Sequence, residues 1–369
     1  MGVLSSGGAL IISPCDRKWQ WCVPRKRRRL RQTERVNRGV RVLQWRDGRR
    51  TPAAQELTTV EELIVDPDSL VWVDLVDPDA SELALLAREV GLDPHSVEDA
   101  IAPAERPKAM RHASHTFLAV YAAWLGQDAG EELHDSRLVT SRINCFVLPF
   151  GLITVRADDH FEMDQVVERW ETEAALMRLG VGALAHGLLD VIVDGHFDTI
   201  QQLDDAAEAT EDELFEHRIS RTVIQQQVYR LRKELVALRR VVLPMREVVN
   251  TLIHYRSDLQ VADHGLDGYY QDLYDHVMRA AEWTESLRDV VGSIFETNLS
   301  LQDAQLNQVM KKLAGWAAVI AVPTAITGWF GQNVPFWGNG EPLGLILSVA
   351  LILLITATVF LLLRRRDWI

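Results

Sequence analysis

Three periodicities of apolar and polar residues divide this chain. From about Val40, VRVLQW is a short apolar-rich run that predicts a strand, ended by the turn signal Asp47-Gly48. Leu70 to Leu75 predicts a second strand, stopped by Asp77-Pro78, and Ser81 is the expected N-cap of a helix, SELALLAREVG, closing at Gly91. Thr116–Trp124 and Ile143–Leu148 read as further strands, and Leu152–Val155 completes a hairpin. After about residue 184 the strand signals stop. Residues 184–217 and 221–254 are long helical patterns, with Leu231, Leu235, Leu238 and Val242 at three- and four-residue steps. A third helical stretch begins near Gly268 and runs on past Leu313. From Tyr269 to Phe330 it would measure about 93 Å at 1.5 Å per residue, more than one globular core needs, which points to a stalk.

Two runs near the end of the sequence call for a solvent other than water. Leu313–Phe330 has 18 residues without a charge and Leu343–Leu363 has 21. About 20 apolar residues span the ~30 Å hydrocarbon layer, and both runs are apolar on every face, unlike a half-buried core helix. Lys311 and Lys312 precede the first run, and Arg364, Arg365 and Arg366 follow the second. The loop between them has no Lys or Arg and one acid, Glu341. The positive-inside rule therefore places both ends in the cytoplasm of a cell-membrane protein that crosses twice. Two spans enclose an aqueous path poorly, whereas several copies around an axis do so readily. The first span carries the small and polar residues for that role: Ala317, Ala318, Ala321, Thr324, Thr327 and Gly328. Neighbouring helices would tolerate Pro323. The second span, Leu-, Ile- and Val-rich, is assigned to lipid.

Charge is sorted along the same divisions. The 369 residues are 47% hydrophobic and 25% charged, which excludes a wholly disordered chain. Residues 1–50 hold 14 Lys and Arg against 3 acids, whereas 51–310 hold 20 against 47. An acidic body of that size repels nucleic acid and concentrates cations. The run Arg25–Arg31 reads as a solvated tail. Three cysteines exclude a disulfide scaffold, and Cys15 and Cys22 have no His or Cys partner nearby to make a zinc site.

Several segments, in order, resemble one family. Phe330-Gly331-Gln332-Asn333 is similar to the Tyr-Gly-Met-Asn signature of CorA-type divalent-cation transporters. WVDLVDPDASEL, GLDPHSVEDAIAPAERPK, the stalk text beginning YYQDLYDH, LNQVMKKL and the basic end RRRDWI resemble the family as well, over about residues 40–369. The resemblance implies an α+β membrane protein assembled as a funnel-shaped homopentamer. Its parts would be a basic extension (1–38), a cytoplasmic α/β domain (39–183), a helical stalk (184–312) and a two-helix membrane domain (313–369, spans about 313–330 and 343–363). It also implies a pore mouth at Gly331, Gln332 and Asn333, a constriction at Asn307 and Met310, an apolar gate at Leu313, and Thr324 and Thr327 in the pore wall. Asp99 and Asp272 fall on the family's inter-subunit regulatory metal site. Mg²⁺ would be both the transported ion and the ligand that holds the assembly closed. Gln332 departs from the signature methionine and Phe330 from the tyrosine, which opens a second transport reading, a Zn²⁺, Co²⁺ or Ni²⁺ carrier of the ZntB type with or without proton coupling.

Other constellations carry less. His112 and His115 form HxxH and are expected as a surface pair; His196 with Asp198, and Asp275 with His276, are expected on salt-bridged helix faces. HExxH, GxxxxGK[ST] and GxSxG are all missing from the sequence, so it gives no sign of an enzyme, a nucleotide-driven pump or an organic cofactor. A third reading is a membrane-anchored acidic sensor or scaffold. An anchor needs neither the small, polar first span nor the Gly-x-Asn loop, which favours transport.

Overall fold

A computed structural model describes residues 39–51, 63–64, 66–102, 105–126, 137–216, 221–258, 264–332 and 342–369. The extension 1–38, with Cys15 and Cys22, and the loop holding Asn333 and Glu341 lie outside the described residues.

The strands are β1 (Val40–Arg46), β2 (Arg49–Thr51), β3 (Leu70–Val76), β4 (Lys108–Arg111), β5 (Thr116–Leu125), β6 (Leu138–Val147) and β7 (Gly151–Arg156). They form one sheet in the order β2-β1-β3-β7-β6-β5-β4. β3 and β7 are parallel and the other pairs antiparallel. Asp47 and Gly48 make the β1–β2 turn, with φ of 52° and 72°. The short edge strands β2 and β4 carry little apolar signal and are additions to the expected set.

Side chains alternate across the sheet, and both faces are covered. Val71, Val73, Phe117 and Phe146 meet Leu83 and Leu86 of α1 (Ala80–Val90) and Ala100 of α2 (Pro94–Ile101). Trp45, Trp72 and Leu118 meet Val166 and Trp170 of α3 (Met163–Thr172) and Leu184 and Leu188 of α4 (Val181–Glu216). Burial on two faces explains why the strands read as nearly unbroken apolar runs. The cap of α1 differs from expectation. Asp79, not Ser81, is the N-cap, accepting from the Ser81 amide, while Glu82 accepts from the Asp79 amide in a capping box.

The expected 221–254 helix is two helices, α5 (Arg221–Val242) and α6 (Met245–Asp258). Pro244 lacks an amide hydrogen and its ring crowds the preceding turn, so the helix restarts there. The long helix is α7 (Asp267–Phe330), 64 residues, followed by α8 (Pro342–Arg365), 24 residues. Tyr270, Leu273, Val277, Ala280, Thr284, Leu287, Val291, Ile294 and Asn298 are buried on α7 in alternating steps of three and four. This stripe packs on α4, α5 and α6, through residues such as Leu203, Leu231, Leu235 and Val248. Beyond Asn298 the only described α7 residue that is buried is Gly315. The helix leaves the acidic body there, and α7 and α8 are both long and apolar enough to cross a membrane.

Candidate ion pathway and regulatory carboxylates

Past Lys312, α7 has two unlike sides. Half-buried residues 319, 322, 323, 326 and 330 mark the side packed on α8, and Trp316 meets Phe360 with ring centroids 6.4 Å apart. On the opposite side Met310, Leu313, Ala317, Ile320, Thr324, Thr327 and Gly331 are all exposed. Their alternating steps of three and four are the spacing of a left-handed helix-bundle seam. The residues expected at the pore wall and gate thus share one face that α8 leaves uncovered.

Along that face Thr324 donates its hydroxyl hydrogen to the Ile320 carbonyl at 3.1 Å, and Thr327 donates to the Pro323 carbonyl at 2.8 Å. Both hydroxyl oxygens keep lone pairs for water or a hydrated cation. Asn307 lies one turn before Met310 and is exposed. Gly331 caps α7 with φ −83°, not the positive φ expected of a tight loop. Its amide donates to the Thr327 carbonyl, and a Cβ there would meet that same oxygen at 3.0 Å, so space rather than backbone conformation favours glycine. Gln332 is exposed, and Asn333 lies outside the described residues.

Asp99 and Asp272 occupy different elements and different states. On α2, Asp99 accepts from Lys108 Nζ at 2.8 Å, and Lys108 also reaches Glu105 at 3.0 Å. Partial burial alone would lower the Lys108 pKa, but its hydrogen bonds to Asp99 and Glu105 outweigh that and raise it. A cation at Asp99 must compete with this ammonium. Asp272, near the start of α7, is 72% exposed and, among the described residues, has His276 as an ion partner 3.8 Å away. Within one chain the two carboxylates are not joined. Along the helix Asp272 precedes Leu313 by about 60 Å.

A cluster the sequence reading did not single out is Asp190, Asp194 and His276, whose ligand atoms lie within 4.8 Å of one another. The two acids stand at i and i+4 on α4, and His276 comes from α7. Arg169 of α3 already donates to both carboxylates, at 3.0 and 2.7 Å. Burial, with Asp190 beside it, pushes the Asp194 carboxyl up. Only the Asp190–Asp194 spacing was visible in sequence; its partners are contributed by other helices. His276 otherwise matches the expected salt-bridged face.

Two histidine expectations are overturned. His115 is 1% exposed and stacks on His112 at 4.8 Å, because β5 draws it under the sheet edge beside Phe146. His112 Nε2 lies 2.7 Å from Ser96 Oγ, so the pair ties the β4–β5 turn to α2 instead of facing solvent. His196 is buried too, its Nε2 donating to the Tyr121 carbonyl at 2.8 Å where α4 crosses β5.

The family model described as "CorA-like Mg2+ transporter protein" matches residues 67–365. The cobalt/magnesium transport protein CorA of Thermotoga maritima is 26% identical over 322 residues, covering 85% of this chain and 88% of that protein. The zinc transport protein ZntB of Yersinia pseudotuberculosis is 25% identical over 308 residues, covering 81% and 88%. Among solved structures, the CorA magnesium transporter of Methanocaldococcus jannaschii superposes with a TM-score of 0.68 at 23% identity, over 89% of this chain and 98% of that one.

Proposed function

The chain belongs to the CorA-like Mg²⁺ transporter family, whose members move divalent cations across membranes and are not enzymes. From that premise we propose that five copies surround an axis in the cytoplasmic membrane and conduct Mg²⁺, with both chain ends on the cytoplasmic side. The proposal divides the chain into a cytoplasmic domain (39–183), a stalk (184–312) and a membrane domain (313–369). The observation that carries it is the uncovered seam of α7 from Met310 to Gly331, opposite the side packed on α8. In a ring of five, Met310 and Leu313 make an apolar constriction that gates by dewetting, with Asn307 at its entrance. Thr324 and Thr327 line the wall, and Gly331, Gln332 and Asn333 form the outer mouth. Neutral oxygens there meet the water shell of Mg²⁺, which dehydrates reluctantly.

Asp99 of one copy and Asp272 of the next are proposed to share a regulatory Mg²⁺. Empty, they and the surrounding acids repel; filled, they bridge two subunits, so Mg²⁺ binds the closed state better and shifts the population toward it.

Gln332 in place of the signature methionine, together with the similarity to ZntB, supports a second reading in which Zn²⁺, Co²⁺ or Ni²⁺ is the preferred ion. Uptake of each metal into liposomes holding the purified protein decides between them. Asn333→Ala is expected to abolish flux, and Gln332→Met to preserve it while shifting preference toward Mg²⁺. Flux at the wild-type level in Asn333→Ala would remove that residue from the mechanism. An unchanged ion order in Gln332→Met would dissociate the departure from selectivity.

A further inference from the structure

After α8 the chain folds back on α7. Arg366 closes the helix, and Asp367 takes φ 54°, a left-handed conformation uncommon for a residue other than glycine. The Trp368 amide donates to the Leu363 carbonyl at 3.0 Å and the Asp367 amide to the Arg364 carbonyl at 3.3 Å. These are the two bonds of a Schellman turn, with Asp367 in the place usually held by glycine. The turn delivers Trp368 and Ile369 onto Gly315 of α7. A Cβ at Gly315 would meet Ile369 Cγ1 at 2.9 Å and the Trp368 carbonyl oxygen at 3.1 Å, so a side chain there must displace the turn or Ile369.

Gly315 has a particular position. Counting from Asn298 in the same steps of three and four, through 301, 305, 308 and 312, the buried stripe of α7 arrives at Gly315. Leu301 is half-buried against the body; beyond it the stripe is bare, and a cleft of about 480 Å³ opens there, lined by Leu301, Gln305, Asn307, Lys311 and Asp367. On a helix of 3.6 residues per turn, Gly315 lies roughly 160° from Leu313, so the contact falls behind the gate, not in it. α7 is held by the acidic body as far as Leu301 and is next buried at Gly315.

We propose that the segment Asp367–Ile369 is a back-stop for the gate, with Gly315, Asp367 and Ile369 as positioning residues. To widen a ring of Leu313 side chains, α7 must move outward, toward its rear side. Trp368 and Ile369 occupy that side, so the closed position is favoured while the turn is made, and opening requires the segment to give way. The inference rests on the pore reading above and adds a mechanical element that the ion-binding residues do not supply.

The test compares Mg²⁺ flux into liposomes at low Mg²⁺ and at closing concentrations of Mg²⁺ on the cytoplasmic side, using the full chain. Gly315→Val crowds the contact, and Asp367→Val disfavours the left-handed turn without touching Gly315. Both are expected to raise residual flux under closing conditions several-fold relative to their own open flux. Asp367→Gly removes the charge but keeps the turn, and Ala314→Val places the same valine side chain on an exposed neighbour; both are expected to close like wild type. Residual flux at the wild-type level in Asp367→Val, or Asp367→Gly as leaky as Asp367→Val, would overturn the proposal. A nitroxide on Ala317→Cys reads gate-helix mobility whether or not ions pass. If wild type conducts no divalent cation while Asp367→Val still loosens the label and Asp367→Gly does not, the pore reading fails and the back-stop stands. A label equally mobile in all variants defeats the back-stop.

Discussion

At the scale of single residues, the seven-stranded sheet is held at its centre by one satisfied ion pair. Arg156 donates to both oxygens of Asp74, at 3.1 and 2.6 Å, and to the Phe161 carbonyl, while Thr154 donates to Asp74 at 2.6 Å. Both charges are buried, and Trp72 Nε1 completes the network on Thr154. Removing one partner leaves the other charge uncompensated, so Asp74→Ala is expected to lose about 3–5 kcal/mol in denaturant unfolding of the detergent-solubilised protein. A loss under about 1 kcal/mol, the size of an exposed pair, would show that water reaches Arg156. His115 and His196 supply a pH dependence of definite sign. Burial pushes both imidazoles from 6.5 down to about 4, with His112 adding to the shift at His115. Below pH 6.5 the unfolded chain takes up protons that the folded chain refuses, so their contribution is complete above 6.5 and is lost as pH falls toward 4. Melting temperature should fall between pH 7 and pH 5, and His196→Asn should melt lower at pH 7 with a shallower decline. An equally steep decline in that variant would assign the slope to other groups.

At the scale of elements, α7 links the proposed regulatory carboxylate to the gate without a break, 64 residues of one helix. A lever of that kind transmits a change at Asp272 only if the body grips it, which the stripe from Tyr270 to Asn298 does. Asp272→Ala and Asp99→Ala are expected to weaken Mg²⁺-dependent protection from limited proteolysis, the second with the added consequence of leaving Lys108 to Glu105 alone. Wild-type protein without Mg²⁺-dependent protection would remove regulation from this site, whereas wild-type protection in both variants would acquit the pair alone. The helix pattern was legible because the Leu231–Val242 spacing and the two uncharged runs each have one physical explanation. What was not legible came from partners distant in sequence. β6 begins at Leu138 because Val139 and Ser141 pair with Trp124 and Ala122, although Thr140, Ser141 and Arg142 interrupt its apolar run. His196 and His115 were misread because a polar side chain in an acidic or polar stretch gives no sign of the strand that will cover it. Asp190 and Asp194 acquire their meaning only from Arg169 and His276. The α5–α6 break was available in sequence at Pro244, where the apolar period ran on across it and masked the stop.

At the scale of the whole molecule, one chain leaves two kinds of apolar surface open, and they ask for different partners. The outer face of α8 is Leu345, Ile346, Leu353 and Leu354, all strongly exposed, which lipid chains satisfy as well as protein does. The free face of α7 mixes Met310, Leu313 and Ile320 with Ala317, Thr324 and Thr327. Hydroxyls facing hydrocarbon are costly, and small residues gain little from lipid but let helices approach closely. That face is therefore better satisfied around a shared axis, with water on the Thr side and neighbouring copies at its flanks. The five-fold ring proposed above would set this face around one axis and leave an aqueous path along it. Native mass spectrometry in mild detergent should give a pentamer, and Ile320→Lys, which sets five like charges around the axis, should shift it toward smaller species or block flux. A monomer or dimer for the wild-type protein would defeat the assembly, and the pore would fall with it, because neither leaves a closed path past Leu313.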